Sequence, residues 1–220
     1  MQRREWLSRG VAATGLLAGG ALLGWPAAVQ AQAEEAPDAL IKRLSDEVLG
    51  AVKADPTVRT GDISRLMALV DSRIMPSVNF QRMTAGAVGP AWRQATPEQR
   101  ARLQDEFKTL LVRTYAGAVA QVSDQMVSVK PLRAGAGDTE VVVRTEVRGK
   151  GEPIQLDYRL EKTPGQGSGW KIYNLNVLGV WLMETYRSQF AQEINAKGLD
   201  GLISTLAERN RVGNANARKG

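Results

Sequence analysis

The segment from Thr96 to Val122 leaves the chain the least freedom. Thr96 suits the N-cap of a helix, Pro97 the first helical position, where a missing N–H costs nothing, and Gln99 completes a capping box of the form T-x-x-Q. Beyond the cap, Leu103, Phe107, Leu110, Leu111, Thr114, Tyr115 and Ala118 recur at steps of three and four, while Arg100, Arg102, Asp105, Lys108 and Arg113 take the other faces. The spacing predicts a long helix with one stripe facing a core. Upstream, two shorter helical pieces carry Phe80 with Met83 and then Trp92, divided by Gly86 and Gly89.

The other elements are arranged around this helix. Asp38 is placed to cap a first helix with Leu40, Ile41, Leu44, Val48 and Val52 on one face, stopped by Asp55-Pro56. A second follows Thr60, with Ile63, Leu66, Met67, Val70 and Ile74 in register, and ends at Pro76. After the central helix the apolar period drops to two. Strands are predicted over residues 125–131, 139–148, 153–162 and 170–177, and their short connections imply an antiparallel meander. The glycine-rich loop at 165–169 lacks the Lys-Ser/Thr ending and following helix of a phosphate loop, and reads as a hairpin turn.

From Val177 to Met183 the chain is apolar on every side of the helix expected to follow, which needs partners all round or a bound apolar ligand. That helix turns amphipathic through Tyr186, Phe190 and Ile194 and ends at Gly198. Asp200 is placed to cap a last one carrying Leu202, Ile203 and Leu206.

Composition closes off several chemistries. None of the 220 residues is cysteine or histidine, which excludes thiol nucleophiles, Ser-His-Asp triads, histidine acid–base work and Cys/His metal sites. An isomerase on a cone-shaped sheet would need a carboxylate facing a tyrosine inside the cavity. Asp157 and Tyr158 are neighbours in a strand and point to opposite faces, so the chain is read as no enzyme. The net charge of +6 is mild, and its basic residues are not interleaved with aromatics, so no nucleic-acid partner is expected.

Residues 1–33 read as an export signal, with Arg3 and Arg4 before an apolar run from Val11 to Leu23 that is too short to span a bilayer. The location expected is outside the cytoplasm, by the Sec or the twin-arginine route. Residues 34–210 form the folded domain, and 211–220 are expected to be a disordered basic tail continuing a cluster of Arg209, Arg211, Arg218 and Lys219. The fold class is α+β: helices packed on one face of a four-stranded antiparallel twisted sheet, similar to cystatin-like or nuclear-transport-factor-like cones, which can hold an apolar cavity.

The ordered series F-x-x-M at Phe80, G-x-x-W-x-x-A-T-P-E-Q ending at Gln99, L-L-x-x-T-Y ending at Tyr115, PIQLDYRL from Pro153 and WKIYNLNV from Trp170 resembles the MlaC family of periplasmic phospholipid-binding proteins. G-V-x-L, Y-R-S-Q-F and GLDGLISTL extend the likeness to Asn210. The resemblance implies a soluble carrier with no cofactor and a phospholipid as cargo. It would shuttle between an outer-membrane lipoprotein–porin complex and an inner-membrane ABC transporter with a substrate-binding ring, maintaining outer-membrane lipid asymmetry. Alternatives are a carrier of hopanoid-type lipid or a ligand-free periplasmic adaptor. On this resemblance the candidate lipid contacts are Val70, Ile74, Phe80, Met83, Trp92, Leu111, Tyr115, Tyr158, Val180, Leu182 and Met183, with Tyr115 and Val180 nearest the opening. Asn79 and Asn174 stand where the family commonly has Asp, Leu178 where it often has Glu, and Trp181 where it often has Ser.

Overall fold

The computed structural model describes residues 34–217 apart from 123, 136 and 150, with side chains as far as 212. The export signal read at 1–33, Arg218 and Lys219 lie outside the described residues.

Helix α1 (Pro37–Ala54) begins one residue before the cap that the sequence suggests: Pro37 occupies its first turn and Asp38 follows inside. Asp55 ends α1, and its carboxylate accepts the Thr57 N–H at 2.8 Å to start the short α2 (Pro56–Arg59). Asp62 starts α3 (Ile63–Leu69) in the same way, through the Arg65 N–H. The continuous helix expected up to Pro76 instead changes pitch, through a π-helical turn at Val70–Ile74 and a 3₁₀ turn at Met75–Ser77. Proline disfavours helical backbone before it and donates no hydrogen bond, so the regular spiral cannot be carried across Pro76.

Asn79 caps α4 (Phe80–Val88), and Trp92 follows in a 3₁₀ turn, Gly89–Gln94, where a short helical piece was anticipated. The long helix α5 (Pro97–Ala120) has both bonds of its capping box. Gln99 N–H reaches Thr96 Oγ1 at 3.2 Å, and Thr96 N–H reaches Gln99 Oε1 at 3.0 Å.

The sheet has five strands in sequential antiparallel order, not four: β1 (Met126–Val129), β2 (Glu140–Arg148), β3 (Ile154–Lys162), β4 (Trp170–Val177) and β5 (Val180–Trp181). The extra strand replaces the helix expected straight after β4. Leu178 and Gly179, at φ 53° and 88°, form a two-residue turn, and Asn176 Oδ1 accepts the Gly179 N–H at 2.8 Å. Successive positive φ angles match the twist of a hairpin, so the chain folds back before it coils.

The register of β4 also contains a bulge. Leu160 pairs with Ile172 and Arg159 with Asn174, so Tyr173 is left without a partner. The bulge reverses the alternation, which places Trp170, Ile172, Leu175 and Val177 on one face together with Leu160, Tyr158 and Leu156 of β3. The helices cover this face.

Helix α6 (Leu182–Ala217) is broken at Gly198, whose φ of 69° lies outside helical space. The second part starts ahead of Asp200, which accepts a bond from Gln99 Nε2 at 2.8 Å in place of capping. The helix continues to Ala217, past the point where sequence predicts a disordered tail. Asn210 holds that segment against α5, donating to the Glu106 carbonyl at 3.0 Å and its carboxylate at 2.7 Å.

Three cores result. Phe107 centres the largest, with ring centroids at 4.9 Å to Tyr186, 5.3 Å to Phe190 and 5.8 Å to Phe80, binding α4, α5 and α6 together. The second lays α1 through Leu40, Ile41 and Leu44 on Val141, Val143, Leu160 and Ile172. The third joins α1, α2 and α3 to α5 through Val52, Val58, Leu66 and Ala116.

Candidate functional site

Burial falls along the helix-covered face of the sheet from one end to the other. On β3, Leu160 is fully buried, Tyr158 and Leu156 are half-buried, and Ile154 is exposed. On β4 the sequence is the same: Trp170 and Ile172 are buried, Leu175 and Val177 half-buried, and Val180, which pairs with Val177 across the turn, is 51% exposed. On α5, Leu110, Leu111 and Tyr115 are half-buried and pack, like Leu175 and Val177, against the Phe107 core. The result is an apolar band that begins inside the fold and opens at one end of the sheet.

Tyr158 marks its inner limit. Burial pushes its hydroxyl pKa up to about 12, against the pull of hydrogen bonds with Thr145 and Ser45. Thr145 donates its own hydroxyl proton to the Leu156 carbonyl at 2.8 Å. The residue nonetheless keeps accessible surface. Tyr115 behaves likewise on the helical side, its pKa raised by burial and by Tyr186.

Of the other residues singled out by sequence, Phe80, Met83 and Leu182 are buried in the Phe107 core, and Trp92 is packed half-buried against it. Met183 is half-buried, with its thioether over Gly86. Val70 and Ile74 fall in the π-helical turn, half-buried, and Val180 stands at the open end. The structure thus packs Leu111 and Tyr115 against the Phe107 core, Tyr158 against the α1 core, and leaves Val180 at the open end, while Phe80, Met83 and Leu182 are buried inside the Phe107 core. Sequence reasoning missed Leu156, Leu175 and Val177. The signal for the last two was the step of three from Ile172 to Leu175 in an otherwise alternating strand, the mark of a bulge.

Two clefts, of about 520 and 220 Å³, open elsewhere, beside Met75, Phe80 and Gln104. The larger is walled by Asn79, Gln81, Glu161, Gln166 and Lys171, too polar a wall for hydrocarbon.

A polar lattice fixes the surrounding elements. Arg82 pairs with Glu161 and Glu140 and lies 3.6 Å over the Tyr173 ring, and the Tyr173 hydroxyl donates to Glu140 at 2.9 Å. The Arg82 and Tyr173 hydrogen bonds hold the Glu140 carboxyl below its ordinary range. Asn174, fully buried, accepts the Met183 N–H at 3.1 Å and donates to Glu184 at 2.8 Å, so it anchors the start of α6. Burial works against the charge on Glu184, but bonds from Asn174 and Arg159 keep its pKa lowered.

The MlaC protein family model matches residues 42–208, most of the chain. The chain belongs to the MlaC family. Toluene tolerance protein ttg2D of Pseudomonas putida is 26% identical over 169 residues, covering 76% of this chain and 77% of that one. The intermembrane phospholipid transport system binding protein MlaC of Haemophilus influenzae is 24% identical over 179 residues, covering 80% and 83%. A solved structure of the phospholipid-binding protein from Ralstonia solanacearum, in complex with a phospholipid, is 49% identical with a TM-score of 0.76, covering 80% of this chain and 97% of that one.

In this MlaC-family chain the four departures from the common pattern have separate structural accounts. Asn79 and Asn174 serve helix N-termini through Arg82 N–H and Met183 N–H. Trp181 pairs with Asn176, on the face away from the band, with the Arg159 guanidinium 3.9 Å over its ring. Leu178 alone stands exposed at the open end.

Proposed function

We propose that the chain is a periplasmic phospholipid carrier that shields acyl chains in the band running from Tyr158 and Leu175 out to Val180. Moving one acyl CH₂ from hydrocarbon to water costs about 0.8 kcal/mol, so baring two long tails costs on the order of 20 kcal/mol. A carrier must therefore border the tails with apolar surface along their length, while the polar head stays in water. The observation that carries the reading is the half-buried row Tyr158, Leu156, Leu175 and Val177 leading to the exposed end of the sheet, with Leu111 and Tyr115 half-buried against the same core as Leu175 and Val177. The phospholipid complex of the Ralstonia solanacearum relative, 49% identical, supports the same cargo. The export signal read in residues 1–33 supports the location.

In this reading the chain exchanges lipid between an outer-membrane lipoprotein–porin complex and an inner-membrane ABC transporter bearing a substrate-binding ring. The band by itself sets no direction; the partners' differential affinities do. No catalytic role is proposed for any residue. Denaturing mass spectrometry of the purified chain tests the reading: about one phospholipid per chain is expected, and its absence would leave a ligand-free adaptor.

A further inference from the structure

The large apolar side chains most exposed among the described residues are Met126 (71%), Leu178 (65%), Val180 (51%), Val212 (49%) and Ile154 (40%). All except Val212 stand at the same end of the sheet. Met126 pairs with Arg148 at the end of β2, Ile154 pairs with Val147 at the start of β3, and Val180 pairs with Val177 beside the turn that carries Leu178. With strands about 4.8 Å apart, the set spans roughly 20 Å. It is also the end at which the apolar band opens.

Leu178 is anomalous in two ways. Among the described residues it is the one non-glycine with positive φ, a conformation that Asn or Gly adopts far more readily. Its side chain gains no packing in return, because it projects into water. Charge at this end is mixed: Arg148 and Lys130 both pair with Glu146, Lys53 Nζ donates to the Gln125 carbonyl beside Met126 at 3.3 Å, and Glu152 is exposed nearby. From Lys171 to Met183 the chain has no carboxylate, and Trp181, a residue type suited to the boundary between water and lipid, lies half-buried beside the turn.

We propose that this end of the sheet is a membrane-docking rim, at which Met126, Ile154, Leu178 and Val180 insert shallowly into the interfacial layer of a zwitterionic bilayer. Single apolar side chains on separate strand ends suit a deformable lipid phase, whereas a protein interface requires a packed, complementary core. Docking there holds the opening of the band at the bilayer surface, beside the membrane complexes with which the lipid is exchanged. The inference rests on the carrier reading, which gives the opening its cargo. Because the inserting side chains are apolar, docking should persist at high salt.

The test is flotation of the full chain with phosphatidylcholine–phosphatidylethanolamine vesicles at low and high salt, compared with the double variant Leu178→Asn/Met126→Gln. The wild-type chain is expected to float at both salts, and the variant to partition at least about tenfold less, given the apolar surface it loses. Leu178→Asn alone should melt no lower than wild type, since Asn suits the turn, which separates docking from folding. Bound lipid is measured on the same preparations by mass spectrometry and should match in wild type and variant. A chain without lipid defeats the carrier reading on that measurement alone. The rim is overturned if the wild type fails to float, if the variant floats equally, if salt abolishes flotation, or if the rim supports only self-association in sedimentation.

Discussion

Met183 occupies the space that a side chain on Gly86 would need: an ideal Cβ there would lie 2.7 Å from Met183 Cγ and closer still to its sulfur. Helices α4 and α6 approach closely at this point, and Arg187 Nε adds a bond to the Gly86 carbonyl at 2.7 Å. Gly86→Ala should therefore destabilise the fold by about 1–3 kcal/mol through overpacking, despite the better helix propensity of alanine. Urea unfolding of Gly86→Ala, Met183→Ala and the double variant should show favourable coupling between the two changes, because truncating Met183 removes the clash.

Asn174 is held between a helix start and a carboxylate, which explains an amide where related chains commonly have an acid. Its Oδ1 accepts from Leu175 and Met183 N–H, and its Nδ2 donates to Glu184. Asn174→Asp would place two carboxylates at hydrogen-bond distance and should cost about 1–3 kcal/mol at neutral pH. Chemical denaturation should show much of that loss recovered in Asn174→Asp/Glu184→Gln.

Tyr158 provides an alkaline signature. Its pKa is about 12 in the fold against an ordinary 10.0, because burial disfavours the phenolate. The unfolded chain ionises first, so the stability this group contributes is complete below pH 10 and is lost as pH rises through 12. Tyr158→Phe should flatten the fall in stability over that window without abolishing it, because Tyr115 and Tyr173 are raised as well. Thermal melts across the range provide the check.

Val180→Glu should strip bound phospholipid while leaving the melting temperature within a few degrees of wild type. The side chain is already half in water, so a charge there costs the fold little, yet it would stand where acyl chains enter the band. Lipid recovery from the variant, quantified by mass spectrometry, should fall well below that of wild type.

The helical framework was largely legible in the sequence, because caps and stripes are local. Thr96, Pro97 and Gln99 announce α5, and Leu103 and Phe107 announce its buried face. The four longer strands followed from alternation in the same way. What escaped was chemistry that depends on pairing. A leucine in left-handed conformation has no sequence signature, so the Leu178–Gly179 turn and β5 were read as helix. The π-helical turn at Val70–Ile74 was hidden by spacing that suits an ordinary helix equally well. At the candidate site, Tyr115 and Tyr158 were named on family likeness, while Leu175 and Val177 were lost to an assumption of strict alternation.

The unpaired Tyr173 decides which of its downstream neighbours join the apolar face and which join the polar lattice on the other. Were Tyr173 paired with Arg159 in a regular ladder, the strand would turn over from there on: Leu175 and Val177 would be thrust outward and Asn174 and Asn176 carried into the greasy interior. Deleting Tyr173 outright would keep Ile172, Leu175 and Val177 on their present face, so its cost would be the loss of the ring under Arg82 and of the hydroxyl bond to Glu140, and not a turned strand.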